Sequence, residues 1–229
     1  MLVVHHLGRS QSERIVWLCE ELGLDYQLRC YARDPKTILA PADYKALHPI
    51  GAAPVITEDG PGDGPGDGPR DGPRDGMVLA ESGAIVAYIL ARHGGGRLEL
   101  PPEHPGFADY LYWLHFTNGT LQPAMGRCMV LGRLKLAAED ATLLAMRGRL
   151  DRAMGLVEAR LGAVDYLAGA DFTAADIMIV FSLTTMRHFL PLDLGPYPNI
   201  RAYLQRIGAR EGYRRAMRKG DPEMVPMLA

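Results

Sequence analysis

The chain opens on a short apolar run, Leu2-Val3-Val4-His5-His6, then a polar break, Gly8-Arg9-Ser10-Gln11-Ser12, then Ile15, Val16, Leu18, Cys19 and Leu22 at helical spacing. This pattern predicts a strand, a loop and a helix over 12–22, with Gly23 placed to take the positive φ of a helix end. Tyr26 to Tyr31 is rich in residues suited to a pleated surface and predicts a second strand. Two strands joined by a helix are expected to be parallel, with a right-handed crossover. A short helix or irregular turn is expected over 41–47. Pro54–Glu58 and Met77–Ala80 predict a hairpin. Ile85, Val86, Ile89 and Leu90 then predict a helix over 82–93, ended by Gly94-Gly95-Gly96.

From residue 106 onward the period stays helical. Tyr110, Leu111, Trp113, Leu114 and Phe116 mark a helix within 107–131, which Pro123 is expected to kink or divide. Leu143, Met146, Leu150, Met154, Val157 and Leu161 form an apolar stripe over 139–161. Thr173 and Asp176 then fit the N-cap and N3 positions of a capping box, with Phe172 and Ile177 as the staple around it. Tyr197-Pro198-Asn199-Ile200 opens a last main helix.

Between the hairpin strands lies a run of Asp-Gly-Pro units from Asp59 to Gly76 that repeats every four residues, with five Asp and two Arg. Collagen needs glycine at every third position, so this is not collagen. It holds no apolar side chain and cannot offset its ordering entropy by burial. It reads as an expanded hairpin turn, and Asp at a spacing of four with intervening Pro does not match an EF-hand calcium loop.

Composition narrows the function classes. The 229 residues carry 25 basic and 27 acidic side chains, a net charge of −2, which offers no electrostatic case for nucleic acid. No segment approaches the roughly 20 apolar residues that span a bilayer. The start lacks the basic region and long apolar core of a signal peptide. Three cysteines without Cys-x-x-Cys spacing suggest reduced thiols and a cytoplasmic location. Alternation puts His5 and His6 on opposite faces of a strand, so no metal site is expected there.

The candidate chemistry sits at the strand ends of the first half. Pro54 has no N–H and can open a strand but not sit inside a ladder. A cis bond before it would turn Ala53 outward and offer its N–H and C=O to an extended peptide. Ser82 lies at the change from strand to helix, where free N–H groups make an anion site, and Glu81 before it can hold an amine. Together these describe one end of a small peptide such as glutathione.

The stretch His48-Pro49-Ile50-Gly51-Ala52-Ala53-Pro54-Val55-Ile56, with Leu79-Ala80-Glu81-Ser82-Gly83-Ala84-Ile85-Val86, resembles the glutathione-binding half of the glutathione transferases. The resemblance extends along most of the chain, and Ser10-Gln11-x-x-Arg14 is similar to the bacterial, theta-like serine type. It implies an α/β thioredoxin-like domain, βαβαββα, with a cis proline, followed by an all-α domain. The expected boundaries are 1–93 for the first domain, with a 59–76 insert, 94–105 for the linker and 106–229 for the second domain. It also implies a homodimer, with glutathione as substrate and no separate cofactor. Ser10 is the candidate donor to the sulfur and Ser12 the runner-up. Ala53, Pro54, Glu81 and Ser82 would bind glutathione. Tyr112, Trp113, His115 and Phe116 are candidates for the electrophile pocket, against a plain core reading.

Ser10 and Glu13 also fit a capping box of their own, a role compatible with thiol activation. Two departures stand out. The theta-like type commonly has proline where Ser12 stands, and the family often has Lys or Gln where Ala52 stands. The reaction implied is attack of the glutathione thiolate on a small hydrophobic electrophile. Reduction of peroxides or disulfides on the same site, or a non-catalytic binding or regulatory role, are the alternatives.

Overall fold

A computed structural model describes residues 1–59, 76–134 and 136–229 of the chain. The Asp-Gly-Pro insert therefore lies, apart from its two ends, outside the described residues. Strand β1 (Leu2–Leu7) leads through a polar loop into helix α1 (Glu13–Leu22), followed by β2 (Gln27–Tyr31), a short α2 (Ala42–Lys45), β3 (Val55–Glu58), β4 (Met77–Ala80) and α3 (Ser82–Ile89). The strands order as β2-β1-β3-β4, with β1 parallel to β2 and antiparallel to β3. Gly23 ends α1 with φ of 62°, the left-handed conformation that lets its N–H reach back to the last turn.

The remaining elements are helical: α4 (Phe107–Phe116), α5 (Gln122–Leu131), α6 (Ala141–Ala163), α7 (Ala174–Leu183), α8 (Pro198–Ala209) and α9 (Glu211–Gly220). Wider π-helical turns continue α3 over Leu90–Gly94 and join α4 to α5 over Thr117–Leu121. Against the expectation that Pro123 kinks or divides this helix, the helical backbone runs on past it, with a π turn just before it and Pro123 as the second residue of α5. The N-terminus of α7 carries the expected capping box, Thr173 with Asp176. Asp176 additionally accepts from the Leu167 N–H and the Tyr203 hydroxyl, so one buried carboxylate ties α7 to α8 and to the preceding loop. Burial raises its pKa to about 6, against those hydrogen bonds.

One continuous core runs from the sheet into the helices: Val4, Ile15, Leu18 and Ile85 share it with Trp113, Met125, Ile177 and Tyr203. Charge pairing locks α9 onto α1. Glu20 receives Arg215 and Lys219, and Glu21 receives Arg210. The segment after α9 is thereby brought back over the β1–α1 loop, where Asp221 accepts from the N–H of Arg9 at 3.0 Å.

Candidate active site

The register of the sheet gathers the candidate residues at one end. His5 pairs with Val55, and Val55 pairs with Ala80, so Pro54 lies one step beyond, level with His6 on one side and Glu81 on the other. The Ala53–Pro54 bond is cis. Among the described residues, no hydrogen bond uses the Ala53 N–H or C=O.

Glu81 holds φ of 72°, in the left-handed region that a non-glycine residue adopts at a cost of about 1–3 kcal/mol. It is exposed, and the Ile85 N–H closes on its carbonyl. Its strained backbone sets the start of α3. Ser82, next in the chain, is buried, and its hydroxyl accepts from Asn118 Nδ2 at 2.9 Å and from Arg14 at 3.2 Å.

The burial of Arg14 could not be read from the sequence. A helix arginine is ordinarily expected at the surface or in a salt bridge, and this one is fully buried. Its guanidinium donates to Gln11 Oε1 at 2.7 Å, to Ser82 and Asn118, and to Gln122 Oε1 at 3.1 Å. Phe181 covers it with its ring centroid 5.3 Å away. No carboxylate among the described residues pairs with it, and burial lowers its pKa to about 9. Arg14 links the loop carrying Ser10 to the start of α3 and to the helical half.

The loop after β1 departs from the expected capping box. Ser12, not Ser10, occupies the N-cap position of α1, and Glu13 turns its carboxylate away to accept from the Thr185 hydroxyl at 2.6 Å. Burial pushes that carboxyl up to about 8, with the Thr185 bond opposing. Ser12 is wholly enclosed. It takes the Leu7 N–H at 3.1 Å, lies 2.9 Å from His6 Nδ1 and 2.7 Å from the Ser10 hydroxyl. Ser10 Oγ in turn accepts the Ser12 N–H at 3.2 Å. Of the two serines only Ser10 retains any surface, 5% against 0%.

Comparison with known proteins identifies the family. Residues 9–92 match the glutathione S-transferase N-terminal domain and residues 120–211 the C-terminal domain. Glutathione S-transferase D7 of Anopheles gambiae is 33% identical over 206 residues, spanning 89% of this chain and 84% of that protein. The chain belongs to the glutathione S-transferase family. Glutathione S-transferase 3 of Schizosaccharomyces pombe is 26% identical over all of this chain and 92% of its own length. A glutathione S-transferase of Actinobacillus pleuropneumoniae superposes with a TM-score of 0.81 at 29% identity, covering 100% of this chain and 99% of that one. A sphingomonad glutathione S-transferase solved with glutathione bound shares the fold at a TM-score of 0.70 and 20% identity, over 95% and 98% of the two chains.

This transferase is thus an enzyme of known architecture, a four-stranded mixed sheet with a helical C-terminal region. Its departures from the family pattern acquire a structural context. Ala52 presents no cation, and His48 is used locally, its Nδ1 accepting the Ile50 N–H at 3.2 Å. Lys45 at the end of α2 lies close to the same turn. A Cβ on Gly51 would stand 3.6 Å from its Cγ, and its exposed ammonium has no carboxylate partner among the described residues. Sequence reasoning missed Lys45 because only the return of α2 toward Gly51 brings it there.

The candidates on α4 divide. Trp113 and Phe116 are buried in the core, their rings 4.9 Å apart. Tyr112 and His115 are exposed. His115 lines a cavity of about 640 Å³ with Gly83, Tyr110, Leu114 and Asn118, and Asn118 also holds Ser82. A second cavity of about 990 Å³ lies on the other side of the β1–α1 loop, between Arg9, Arg33, Ile38, Phe189 and Met224. Sequence reasoning had no signal for it, since the residues after α9 that close it are remote in the chain. Among the described residues, no cluster of three or more His, Cys, Asp or Glu could hold a metal, and no helix is long and apolar enough to cross a membrane.

Proposed function

We propose that this transferase binds glutathione across Ala53, Pro54, Glu81 and Ser82, activates its thiol at Ser10, and transfers it to small hydrophobic electrophiles. The observation that carries the reading is the convergence of Ser10, the cis Ala53–Pro54 bond and the Glu81–Ser82 helix start at one end of the sheet. An extended peptide can pair with the unused Ala53 backbone. Its α-carboxylate then meets the first N–H groups of α3, and its amine meets Glu81. Lys45 is assigned the far carboxylate in place of the absent cation at Ala52.

The Ser10 hydroxyl is the one assigned to the sulfur because Ser12 has no surface. A free thiol titrates near 8.5, so donation to the thiolate raises the reactive fraction at neutral pH. The electrophile is assigned to the cavity beside α4, where His115 alone of the four α4 candidates is a lining residue; Trp113 and Phe116 belong to the core, and Tyr112 is exposed outside the cavity lining. The same reading takes 1–93 as the glutathione-binding domain, 94–105 as linker and 106–229 as the helical domain, in a cytoplasmic protein with reduced thiols.

Glu81→Ala and Ser82→Ala test the binding assignment. Each should weaken glutathione binding about tenfold to a hundredfold, the value of a hydrogen bond to a charged group, roughly 1.5–3 kcal/mol. They should differ in stability. Glu81 is exposed, while loss of the Ser82 hydroxyl leaves Arg14 and Asn118 each short of a partner, at about 1–2 kcal/mol. Unchanged affinity in both variants by calorimetry defeats the assignment.

The protein is further proposed to work as a homodimer. The exposed apolar side chains Val78 on β4 and Leu111 and Tyr112 on α4 support this, and symmetric pairs are the commonest assembly. Sedimentation at micromolar concentration should give twice the chain mass, and a monomer there would count against it.

A further inference from the structure

Behind Ser10 the structure holds an uninterrupted chain of polar groups that thiol activation by a single hydroxyl does not require. Asp221 Oδ2 lies 3.0 Å from His6 Nε2, His6 Nδ1 lies 2.9 Å from Ser12 Oγ, and Ser12 Oγ lies 2.7 Å from Ser10 Oγ. His6 and Ser12 are fully buried, and Ser10 and the Asp221 side chain retain only 5% and 10% of their surface. The four groups come from β1, the β1–α1 loop and the segment after α9, so only the folded chain assembles them. Gly220 permits the approach, for a Cβ there would stand 3.0 Å from His6 Nε2.

We propose that His6, held by Asp221, is the acceptor of the glutathione thiol proton, which reaches it through Ser10 and Ser12. The proposal rests on the reading of Ser10 as the hydroxyl that faces the sulfur. His6 and Asp221 act through the serines and touch no substrate, so they are positioning and relay residues.

The direction of each bond follows from donor and acceptor chemistry. An ionised carboxylate only accepts, so His6 Nε2 carries a proton toward Asp221, and in the neutral ring Nδ1 is an acceptor. Ser12 then donates its proton to Nδ1, the nearer of its two acceptors at 2.9 Å against 3.3 Å to the Leu7 carbonyl, and accepts from the Leu7 N–H and the Ser10 hydroxyl. Ser10 donates inward and accepts the Ser12 N–H, which leaves its second lone pair for the thiol S–H.

In the transfer, the S–H bond breaks and its proton passes to Ser10 Oγ. The Ser10 proton passes to Ser12 Oγ and the Ser12 proton to His6 Nδ1. The products are a thiolate and an imidazolium whose other N–H faces Asp221. Each serine again holds one proton, and the Ser10 O–H now points at the sulfur. No atom changes oxidation state. When the thiolate adds across an activated double bond, the proton returns along the same path to the carbanion formed; in a displacement the leaving group departs as an anion and the proton is released to solvent.

The carboxylate of Asp221 stabilises the charge that arrives on His6, as a carboxylate behind an imidazole does for other general bases. Burial disfavours the Asp221 anion, but its hydrogen bonds from His6 and from the Arg9 N–H win, and its pKa lies below the usual range. The other ionisable groups around the pair are Arg9, Glu13 on α1, Cys30 opposite His6 in the β1–β2 ladder, and Tyr31, Arg33, Asp34, His188 and Glu223 on the neighbouring cavity, which His6 and Asp221 also line. None of them changes in the variants below.

The test uses the wild-type enzyme with nitrogen-labelled histidine, saturated first with glutathione and then with S-methylglutathione, which has no thiol proton. His6 is assigned by the signal lost in His6→Asn. The expected result is an imidazolium pattern for His6 in the glutathione complex, a neutral pattern in the S-methyl complex, and thiolate absorbance only in the first. Thiolate formation with His6 neutral in both complexes overturns the relay and leaves the Ser10 reading standing. Absence of thiolate in the wild type overturns both.

A second arm replaces the charge. In Asp221→Asn the titration of the bound thiol should move up by about one to two pH units, the worth of one hydrogen bond to a charged group. Asp221→Glu should restore part of the shift. A purely structural clamp on the C-terminal segment would lower the melting temperature and leave the thiol titration where it was, and that result also overturns the proposal.

Discussion

Arg14→Ala is expected to lower the unfolding free energy by about 3–5 kcal/mol, the largest single-residue effect anticipated for this protein. The side chain is fully buried, and four acceptors, on Gln11, Ser82, Asn118 and Gln122, depend on its guanidinium. Truncation strands these acceptors, each at about 1–3 kcal/mol before relaxation, and opens a cavity under Phe181. One term works the other way. Removing a buried charge relieves its desolvation, which is substantial for a cation with no carboxylate partner among the described residues. The cavity and the stranded acceptors outweigh it in the alanine variant.

Arg14→Met separates these terms. Methionine fills much of the volume, so the expected loss falls to about 1–3 kcal/mol, the part due to unpaired polar groups. Arg14→Lys should not rescue the wild-type value, because one ammonium cannot reproduce the planar fork that meets acceptors on three elements. Chemical denaturation of the three variants checks the ranking. Equal stability of Arg14→Ala and wild type would mean that the relieved desolvation cancels the lost bonds, and the bridging role would be abandoned.

Ser10→Ala should reduce turnover at neutral pH about tenfold to a hundredfold and recover part of it as pH rises. The hydroxyl meets the thiolate better than the thiol, so its loss raises the pKa of the bound thiol. One hydrogen bond to an anion is worth about 1.5–3 kcal/mol, or roughly one to two pKa units. The thiol pKa in the complex is then higher in the variant, so the thiolate fraction is lost at neutral pH and regained only above the new value. Glutathione affinity should change little, since the proposed binding contacts lie at Ala53, Glu81 and Ser82.

A structural role for Ser10 predicts a different result. Its Oγ accepts the Ser12 N–H and bonds the Ser12 hydroxyl. Losing these costs about 1–2 kcal/mol of stability without moving the pH profile. Ser12→Ala is the informative partner. It removes the acceptor for the Leu7 N–H as well as the link to His6, so it should destabilise more than Ser10→Ala. Thiolate absorbance against pH is read in both variants: a shift in both is the result expected of the relay, and a shift in Ser10→Ala alone leaves Ser10 acting without it. An unshifted titration in Ser10→Ala alone would move the role to Ser12.

What could be read along the chain was whatever local rules control. The period of apolar residues located the strands and most helices. Gly23 ends α1 by the left-handed turn its lack of a Cβ allows, and Thr173 with Asp176 caps α7, because both devices involve residues a few positions apart. Pro54 was legible for the same reason, since a residue without an N–H can stand only at the edge of a ladder. The capping box proposed for Ser10 and Glu13 shows the limit of such rules. The local chemistry allowed it, but a distant hydroxyl, Thr185, claimed the Glu13 carboxylate, and Ser12 took the cap position.

The sequence by itself therefore determined the order of elements, the strand ends that carry Ala53, Pro54, Glu81 and Ser82, and the serine loop after β1. Only the tertiary structure decided how charged groups are paired. Arg14 is buried because Asn118 and Gln122 arrive from the turn and helix after α4, and His6 meets a carboxylate from a residue 215 positions away. The physical reason is the range of the forces involved. Backbone propensity and capping act within one or two turns of chain. The environment of a buried polar group is set by whatever the packing of distant elements brings within hydrogen-bond reach.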